Sequence, residues 1–519
     1  MKKLLSLVLV TFLVLSVFTV GAFATESNDT PVDYVPVDAA DTTRYQAASK
    51  WNGTVYNLTT IENKYSFEGE GTEASPYLIN SADDLAKLAA NVRFTSTDTN
   101  YAGKYFKLTV DIDMQHNAWM GIGGCFNGVR WGAASGDASA RDFEMFQGVF
   151  DGDNHVIYNF NLADKNANNE AICANGLFGY AGKGAEIYNI GIANGDATLT
   201  NASRIGALIG ASRFDLVVEN CFNRANLTFV YEADFTYAGP GGAMEARVGG
   251  LMGAVMNDAS TERRIENCYN SGNITVTLPE DYKTYCVAGI VGYLSDGVDN
   301  LFINCANTGT ITVNANHGDV GAGNKFGATV APLVGSLAWG DSFYTFEDCK
   351  AGGAVVYTNA NSAAANMCIG SFLAYCRVFN DVEFDGDNVY SVVLTPDEPV
   401  ASNPGFGQAK VTKVDSITLT YSDNYFMAVS TSGGDETPDG DGTTDDNTGD
   451  TTDTSNNGNE DEETTTKKPD TTTAPKADDT TTAAPAEEKK GCGSVVSIGA
   501  LSILLLAGGA ALSMKKKED

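Results

Sequence analysis

Histidine is almost missing from this chain: 519 residues contain three, His116, His155 and His317, far apart. Tryptophan is scarce at four, and 33 basic residues face 66 acidic ones for a net charge of −33. Each scarcity excludes something. Without a His-Glu-x-x-His or CxxC pair the chain carries no zinc-site motif. No Gly-x-Ser-x-Gly elbow offers a nucleophile. The 55 glycines form no stretch with the Lys-Ser/Thr of a phosphate-binding loop. The acidic excess argues against nucleic acid or polyanionic glycans as partners held by bulk electrostatics.

Two uncharged apolar runs lie at the ends. Lys2 and Lys3 precede residues 4–20, which close at Ala22-Phe23-Ala24. This pattern predicts a secretory signal peptide over 1–24, and no cysteine follows it to carry a lipid. Residues 495–514 are uncharged and precede Lys515-Lys516-Lys517. Twenty helical residues cover about 30 Å, a bilayer core. The expectation is a transmembrane anchor over 491–519 with a cytoplasmic lysine tail and everything before it outside. Cys492 falls where that helix enters the membrane. This end resembles the surface-anchoring segments of Gram-positive exported proteins, without an LPxTG-type signal. Residues 431–490 hold 17 acidic residues and 5 lysines and almost no apolar side chain larger than alanine. Such a segment cannot offset the entropy of ordering and reads as a disordered linker. It spans about 40 Å as a coil and about 190 Å if stretched, enough to lift a module through a cell wall. With the linker at −12, the leader at +2 and the C-terminal end at +1, the part between carries about −24.

That part repeats. Gly176-Leu177-Phe178-Gly179 recurs as Ala207-Leu208-Ile209-Gly210, Gly250-Leu251-Met252-Gly253, Gly289-Ile290-Val291-Gly292 and Pro332-Leu333-Val334-Gly335, with final glycines 31, 43, 39 and 43 residues apart. A second signature follows each copy: Tyr188-Asn189-Ile190, Glu219-Asn220-Cys221, Glu266-Asn267-Cys268, Ile303-Asn304-Cys305 and Glu347-Asp348-Cys349. Repeats of this length predict a solenoid whose units bury their apolar faces only against neighbours. The expected fold class is all-β, a solenoid of roughly ten coils. Nine cysteines lie between Cys125 and Cys376, an odd number that cannot all pair. Cys221, Cys268, Cys305 and Cys349 share one column. If each repeat makes two coils, these stand about 10 Å apart, too far for disulfides, and stack as small apolar groups in the interior.

Upstream, Pro76-Tyr77-Leu78-Ile79 predicts a strand. Ser81 caps a helix over 82–91, with Asp84 in a variant capping box and Leu85, Leu88, Ala89 and Val92 as one apolar stripe. An open solenoid end needs a cap, and this helix is placed to supply it. The order SPYLI, helix, GKYFKLTVDIDM, GVFDGDNHVIYNF, GLFGY resembles bacterial surface proteins carrying GLUG-type repeats. The resemblance covers roughly residues 69–390 and implies a right-handed, pectate-lyase-like parallel β-helix. It also implies a surface or adhesin-like role; in that family the repeat also occurs beside protease domains, and none is present here. The expected organisation is a lead-in over 25–68, cap and first coils over 69–175, repeats over 176–393, and a last strand or cap over 394–430.

Candidate sites follow from this frame. Asp111 and Asp113 are two apart on a strand, so they share a face and could hold a hard cation such as Ca2+. The turn Asp151-Gly152-Asp153-Asn154 could do likewise, as could the one at Asp385; the competing reading is an Asx turn that satisfies its own backbone. Tyr231, Phe235 and Tyr237, with Tyr282 and Tyr285, are candidates for stacking on sugar rings; packing over the coils is the alternative. The enzymatic alternative is polysaccharide cleavage, which enzymes of this fold perform with clustered aspartates near a His-Gly and an Arg-x-Lys. His317-Gly318-Asp319 echoes one fragment, no Arg-x-Lys follows, and Arg213, Arg263 and Arg264 read as loop residues. No catalytic constellation and no cofactor other than Ca2+ is implied. The expected function is non-catalytic recognition of a glycan or another surface protein by a membrane-anchored module; a structural envelope component is the third class.

Overall fold

The computed structural model describes residues 39–94, 99–126, 145–165, 172–232, 245–256, 262–295, 299–320, 328–337, 343–361, 367–376, 382–395, 411–421 and 427–432. The chain divides into units 1–439 and 440–519, and every described residue belongs to the first. The expected leader, anchor and nearly all of the linker lie outside the described residues. Among the described residues no helix is long and apolar enough to cross a membrane.

One coil shows how the repeat folds. Arg204–Gly206 turns through Ala207-Leu208 into Ile209–Arg213, then come Leu216–Glu219, Phe222–Asn223 and Asn226–Val230. Each strand pairs in parallel with its counterpart one repeat later: Ile205 with Val248, Ile209 with Met252, Val218 with Ile265, Phe222 with Tyr269, Leu227 with Ile274. Inward positions stack into one continuous core, and outward positions stay polar or half-buried, as in the buried/half-buried alternation of Ile311–Asn316. The fold is therefore mostly β, a solenoid-like stack in which successive repeats add parallel rungs to four sheets.

One repeat makes one coil, not two. Val218, Ile265, Phe302, Phe346 and Phe384 are register partners on successive rungs, so neighbouring repeats stand a single strand spacing apart, about 4.8 Å. Phe302 and Phe346 stack at 4.8 Å and 14°, and Phe346 and Phe384 at 5.7 Å and 22°. The cysteine column is likewise twice as dense as the two-coil expectation. Cys221, Cys268, Cys305 and Cys349 are free and buried. Each thiol points at a main-chain carbonyl two residues back and one a rung below, Cys268 at Glu266 O (3.2 Å) and Val218 O (3.5 Å). Their backbones stand at a spacing compatible with disulfides; the thiols instead pack as small interior groups. Elsewhere Cys173 is disulfide-bonded.

Both signatures have a physical cause. The glycine of the first lies where two backbones nearly touch: a Cβ on Gly253 would meet Ile205 N at 2.3 Å. The asparagine of the second makes the turn between two strands in left-handed backbone. Asn189, Asn220, Asn267 and Asn304 have φ of 53°, 56°, 49° and 47°, a region asparagine tolerates. Each also donates Nδ2 to the residue one rung below: Asn304 to Asn267 (2.7 Å), Asn267 to Asn220 (3.0 Å), Asn220 to Asn189 (2.9 Å) and Asn189 to Asp151 (2.9 Å). A second, fully buried ladder runs inside. Asn223 donates to Asn270 and Asn270 to Asn307, both at 2.8 Å, and each also donates to a main-chain carbonyl two residues on. Ala351 takes the next position and ends it.

The N-terminal end holds two helices. Helix α1, Ala39–Ala47, lies in the lead-in, where no element was expected, and leads directly into Ser49–Lys50, which pairs with Ile112–Asp113. The first rung thus begins before residue 69. Helix α2, Ala82–Arg93, forms as expected: Ser81 accepts from Asp84 N (3.2 Å), and Asp84 accepts from Asn80 N (3.2 Å) and Ser81 Oγ (2.9 Å). Its stripe of Leu85, Leu88, Ala89 and Val92 is buried in the core. At the other end Thr412–Lys413 adds in parallel to Val389–Tyr390, and an antiparallel hairpin of Ser416–Tyr421 and Met427–Ser432 follows.

Candidate functional site

Parallel stacking places residues from distant repeats in one outward column. Lys107, Asp151 and Tyr188 are register partners on three successive rungs, flanked by Tyr105 and Val149. The turn over residues 69–76 rises beside them and brings Glu73 and Pro76 to the rim. Together these residues, with Phe106 and Asn189, line a cleft of about 380 Å3. That lies at the low end of small-molecule sites, about 300–1,000 Å3.

The cleft is built rather than incidental. Phe106 and Phe150, the inward neighbours of the lining residues, are buried, which fixes their two strands. Asp151 uses Oδ1 for two bonds, from Asp153 N (2.9 Å) and Asn189 Nδ2 (2.9 Å), so the asparagine ladder ends on this carboxylate and orients it. Lys107 Nζ reaches Asp153 Oδ2 at 3.0 Å. Tyr188 donates its hydroxyl to Glu186 Oε2 at 2.6 Å. Burial, that hydrogen bond and the Glu186 charge together push the Tyr188 phenol well above its usual range, so it stays protonated. The site thus presents tyrosine rings, carboxylate acceptors and one ammonium donor.

The expected cation pairs are occupied by the protein itself. Asp111 accepts from Arg44 Nε and Nη2 (2.9 and 2.8 Å), from Val156 N (2.8 Å) and faces His155 Nδ1 (3.0 Å). Burial raises its pKa, but His155 and Arg44 outweigh that and hold it below the usual carboxylate range. Asp113 accepts from Gln115 N (2.9 Å) and Asn159 Nδ2 (2.8 Å). Asp151 and Asp153 form the Asx-type turn, and Asp151 lines the cleft. Among the described residues no group of three or more potential metal ligands comes together.

The described tyrosine candidates follow the packing alternative. Tyr231 is buried and donates to Ala202 O, with Tyr282 packed on it at 5.4 Å. Tyr285 is interior: its hydroxyl meets His317 Nε2 (2.8 Å) and Tyr357 OH (2.9 Å). His317 is fully buried with it, so the His-Gly fragment faces the core. Tyr237 and Phe235 lie outside the described residues. Arg263 is buried, not a loop charge: it donates to the carbonyls of Phe214 (3.1 Å), Ser295 (3.0 Å) and Met256 (2.7 Å). Arg264 pairs with Glu266, and Arg213 packs on the Phe214 ring. Sequence reasoning missed Tyr105, Lys107, Tyr188 and Glu73, because their grouping appears only once the repeat is laid out as one rung each.

No family model matches the chain. It is similar to Halomucin of Haloquadratum walsbyi, 29% identical over 205 residues, which is 37% of this chain and 2% of that protein. The chain therefore spans a very small part of the curated relative it matches. Among solved structures it resembles a putative immunoglobulin A1 protease from Bacteroides ovatus at 18% identity and a TM-score of 0.40, over 64% of this chain and 81% of that one.

Proposed function

We propose that this protein is a non-catalytic, adhesin-like recognition module on the cell surface, with GLUG-type repeats forming a right-handed parallel β-helix. A C-terminal anchor and acidic linker would hold it outside the cell, and its partner is a glycan or another surface protein. The observation that carries this reading is the cleft: a fixed concavity of tyrosine, carboxylate and lysine on an otherwise regular lateral face. The stacked core and two asparagine ladders support it, because a rigid platform presents side chains at little ordering cost. The histidine and the arginines that a degrading enzyme would place in a groove are buried or already paired.

The test is to incubate the purified chain with pectins, mucin glycans and wall polymers, with and without calcium, then measure co-sedimentation and chain length. Recognition predicts retention on at least one polymer or on intact cell surfaces, with every chain length unchanged. Shortened chains or new unsaturated ends would replace this reading with an enzymatic one.

A further inference from the structure

We infer that the cleft bounded by Tyr105, Lys107, Asp151, Tyr188 and Glu73 is a binding site for a neutral pyranose segment of a polysaccharide. The inference rests on the recognition reading and deepens it, since it names where on the surface the ligand sits and what chemistry it has.

The composition of the cleft selects the ligand. Tyr105 and Tyr188 are half-buried on neighbouring columns of one sheet face. Rings held this way give a large, stiff amphipathic surface with little rotamer entropy to lose, suited to the C–H face of a sugar ring. The carboxylates of Asp151 and Glu73 accept hydrogen bonds and donate none, which matches hydroxyl donors. Both bonds that Asp151 receives from the protein go to Oδ1, and Oδ2 has no hydrogen bond among the described residues. Lys107 supplies a donor for ring and glycosidic oxygens. Three successive rungs put Lys107 and Tyr188 about 10 Å apart, so an extended ligand can touch all three residues of the column.

Charge narrows the class further. Glu73, Asp151 and the nearby Asp153 and Glu186 outnumber Lys107, which disfavours uronates, sulfates and phosphates. The acidic surplus sets no such penalty against a basic amino sugar, since Asp153 already pairs Lys107 at 3.0 Å; what selects a neutral ring is the pair of tyrosine faces beside hydroxyl acceptors. A neutral polyol with vicinal hydroxyls avoids the anion penalty and uses each of these groups.

The experiment is equilibrium binding of the full chain to neutral gluco-, manno- and galacto-oligosaccharides, with oligogalacturonate and glucosamine oligomers as charged comparators. The variants are Tyr105→Ala, Glu73→Gln, Tyr188→Ala and Tyr188→Phe. Glu73 is exposed and Tyr105 points outward, so these two substitutions leave the core untouched. At least one neutral series should bind. Tyr105→Ala, Tyr188→Ala and Glu73→Gln should each weaken it about tenfold or more. Tyr188→Phe, which keeps the ring, should retain most of the affinity.

Neutral polymer binding that Tyr105→Ala and Glu73→Gln leave unchanged would overturn the site while leaving surface recognition standing. A preference for either charged comparator would overturn the ligand class. Failure of every oligosaccharide to bind would overturn the inference outright. Retention on intact cell surfaces, measured in the same preparation, then decides whether the broader reading falls with it.

Discussion

Replacing Asn270 with leucine should cost far more stability than removing the neighbouring Asn267 side chain, although the two are three residues apart on the same coil. Asn270 is fully buried; it donates to Gly272 O at 2.9 Å and Asn307 Oδ1 at 2.8 Å and accepts from Asn223 Nδ2 at 2.8 Å. Leucine fills a similar volume, so the loss is polar rather than a cavity. Two buried acceptors lose the donor that Asn270 gives them, while Asn223 keeps its second bond, to Ala225 O at 3.0 Å. At about 1–3 kcal/mol for each buried group left unsatisfied, Asn270→Leu should lose about 2–6 kcal/mol. Asn267 has the same kind of bonds in the outer ladder, to Asn220 and from Asn304 (3.0 and 2.7 Å), but is half-buried where water can replace them. Glycine also keeps its left-handed turn at φ 49°. Asn267→Gly should therefore lose about 0.5–1.5 kcal/mol. Urea unfolding followed by far-UV circular dichroism reads both from the midpoint, provided the slope is unchanged. Equal losses, or a loss under about 1 kcal/mol for Asn270→Leu, would refute the claim that the inner ladder is a buried polar spine.

Other consequences follow from buried titratable groups. Burial pushes the Cys268 and Cys349 thiols well up, so they stay protonated and unreactive. Iodoacetamide at pH 8 should leave Cys268 and Cys349 unlabelled in the native chain and modify them in denaturant; native labelling of Cys268 would show the column to be open. Asp111 has a depressed folded pKa, so its pairing with Arg44 and His155 stabilises the fold above the ordinary carboxylate pKa, and that contribution is lost as pH falls through the folded value. Arg44→Ala should therefore destabilise at pH 7, and its difference from the parent should shrink as pH falls below about 4, towards the part left by the bond from Arg44 to Asn154 O (2.7 Å); a constant difference across pH would contradict the assignment. Asp164 has the opposite sign. Burial raises its pKa despite the 2.6 Å bond from Thr200 N, so its favourable contribution is present at low pH and lost as pH rises through the folded value. Asp164→Asn keeps an acceptor and should stabilise the protein at pH 7, as measured by thermal melting.

The architecture was legible because each repeat must satisfy the same local rules. A glycine appears wherever two backbones nearly touch, an asparagine wherever the turn is left-handed, and β-branched or aromatic residues wherever a side chain enters the core. These demands recur once per repeat and leave a periodic trace. The number of coils per repeat left no such trace. One coil of five short strands and two coils of fewer strands use the same spacings, and only the pairing of Val218 with Ile265, and of Ile265 with Phe302, decides between them. Helix α1 was invisible for a different reason. Its sequence, Ala39–Ala47, has no apolar stripe, and it docks through Tyr45 packed edge-on against Tyr158 at 5.2 Å and Arg44 on Asp111.

The cleft was illegible because function in a solenoid is read across coils. Glu73 and Tyr188 are 115 positions apart, and Lys107, Asp151 and Tyr188 share no motif. Their common feature is the strand position just outside an inward residue: Phe106, Phe150 and Ile187 form one interior column, and the residue after each points outward. Aligning GKYFKLTV, GVFDGDN and GAEIYNI on those inward residues would have found the column, once each segment was taken as one rung. The same alignment continued gives Glu219, Glu266, Ile303, Glu347 and Asp385, the outward residues of the later coils. In this column and its neighbour, among the described residues, lysine and a second tyrosine occur only at the capped end, and Arg264 farther along is paired with Glu266. The aromatic and ammonium components of the site are thus confined to the first coils, where the turn over 69–76 walls them in, and the later coils extend an acidic face that would repel an anionic polymer lying along the helix. A neutral chain could follow that face away from the cleft, so the affinity of the site should rise with oligosaccharide length for neutral series and fall with length for oligogalacturonate.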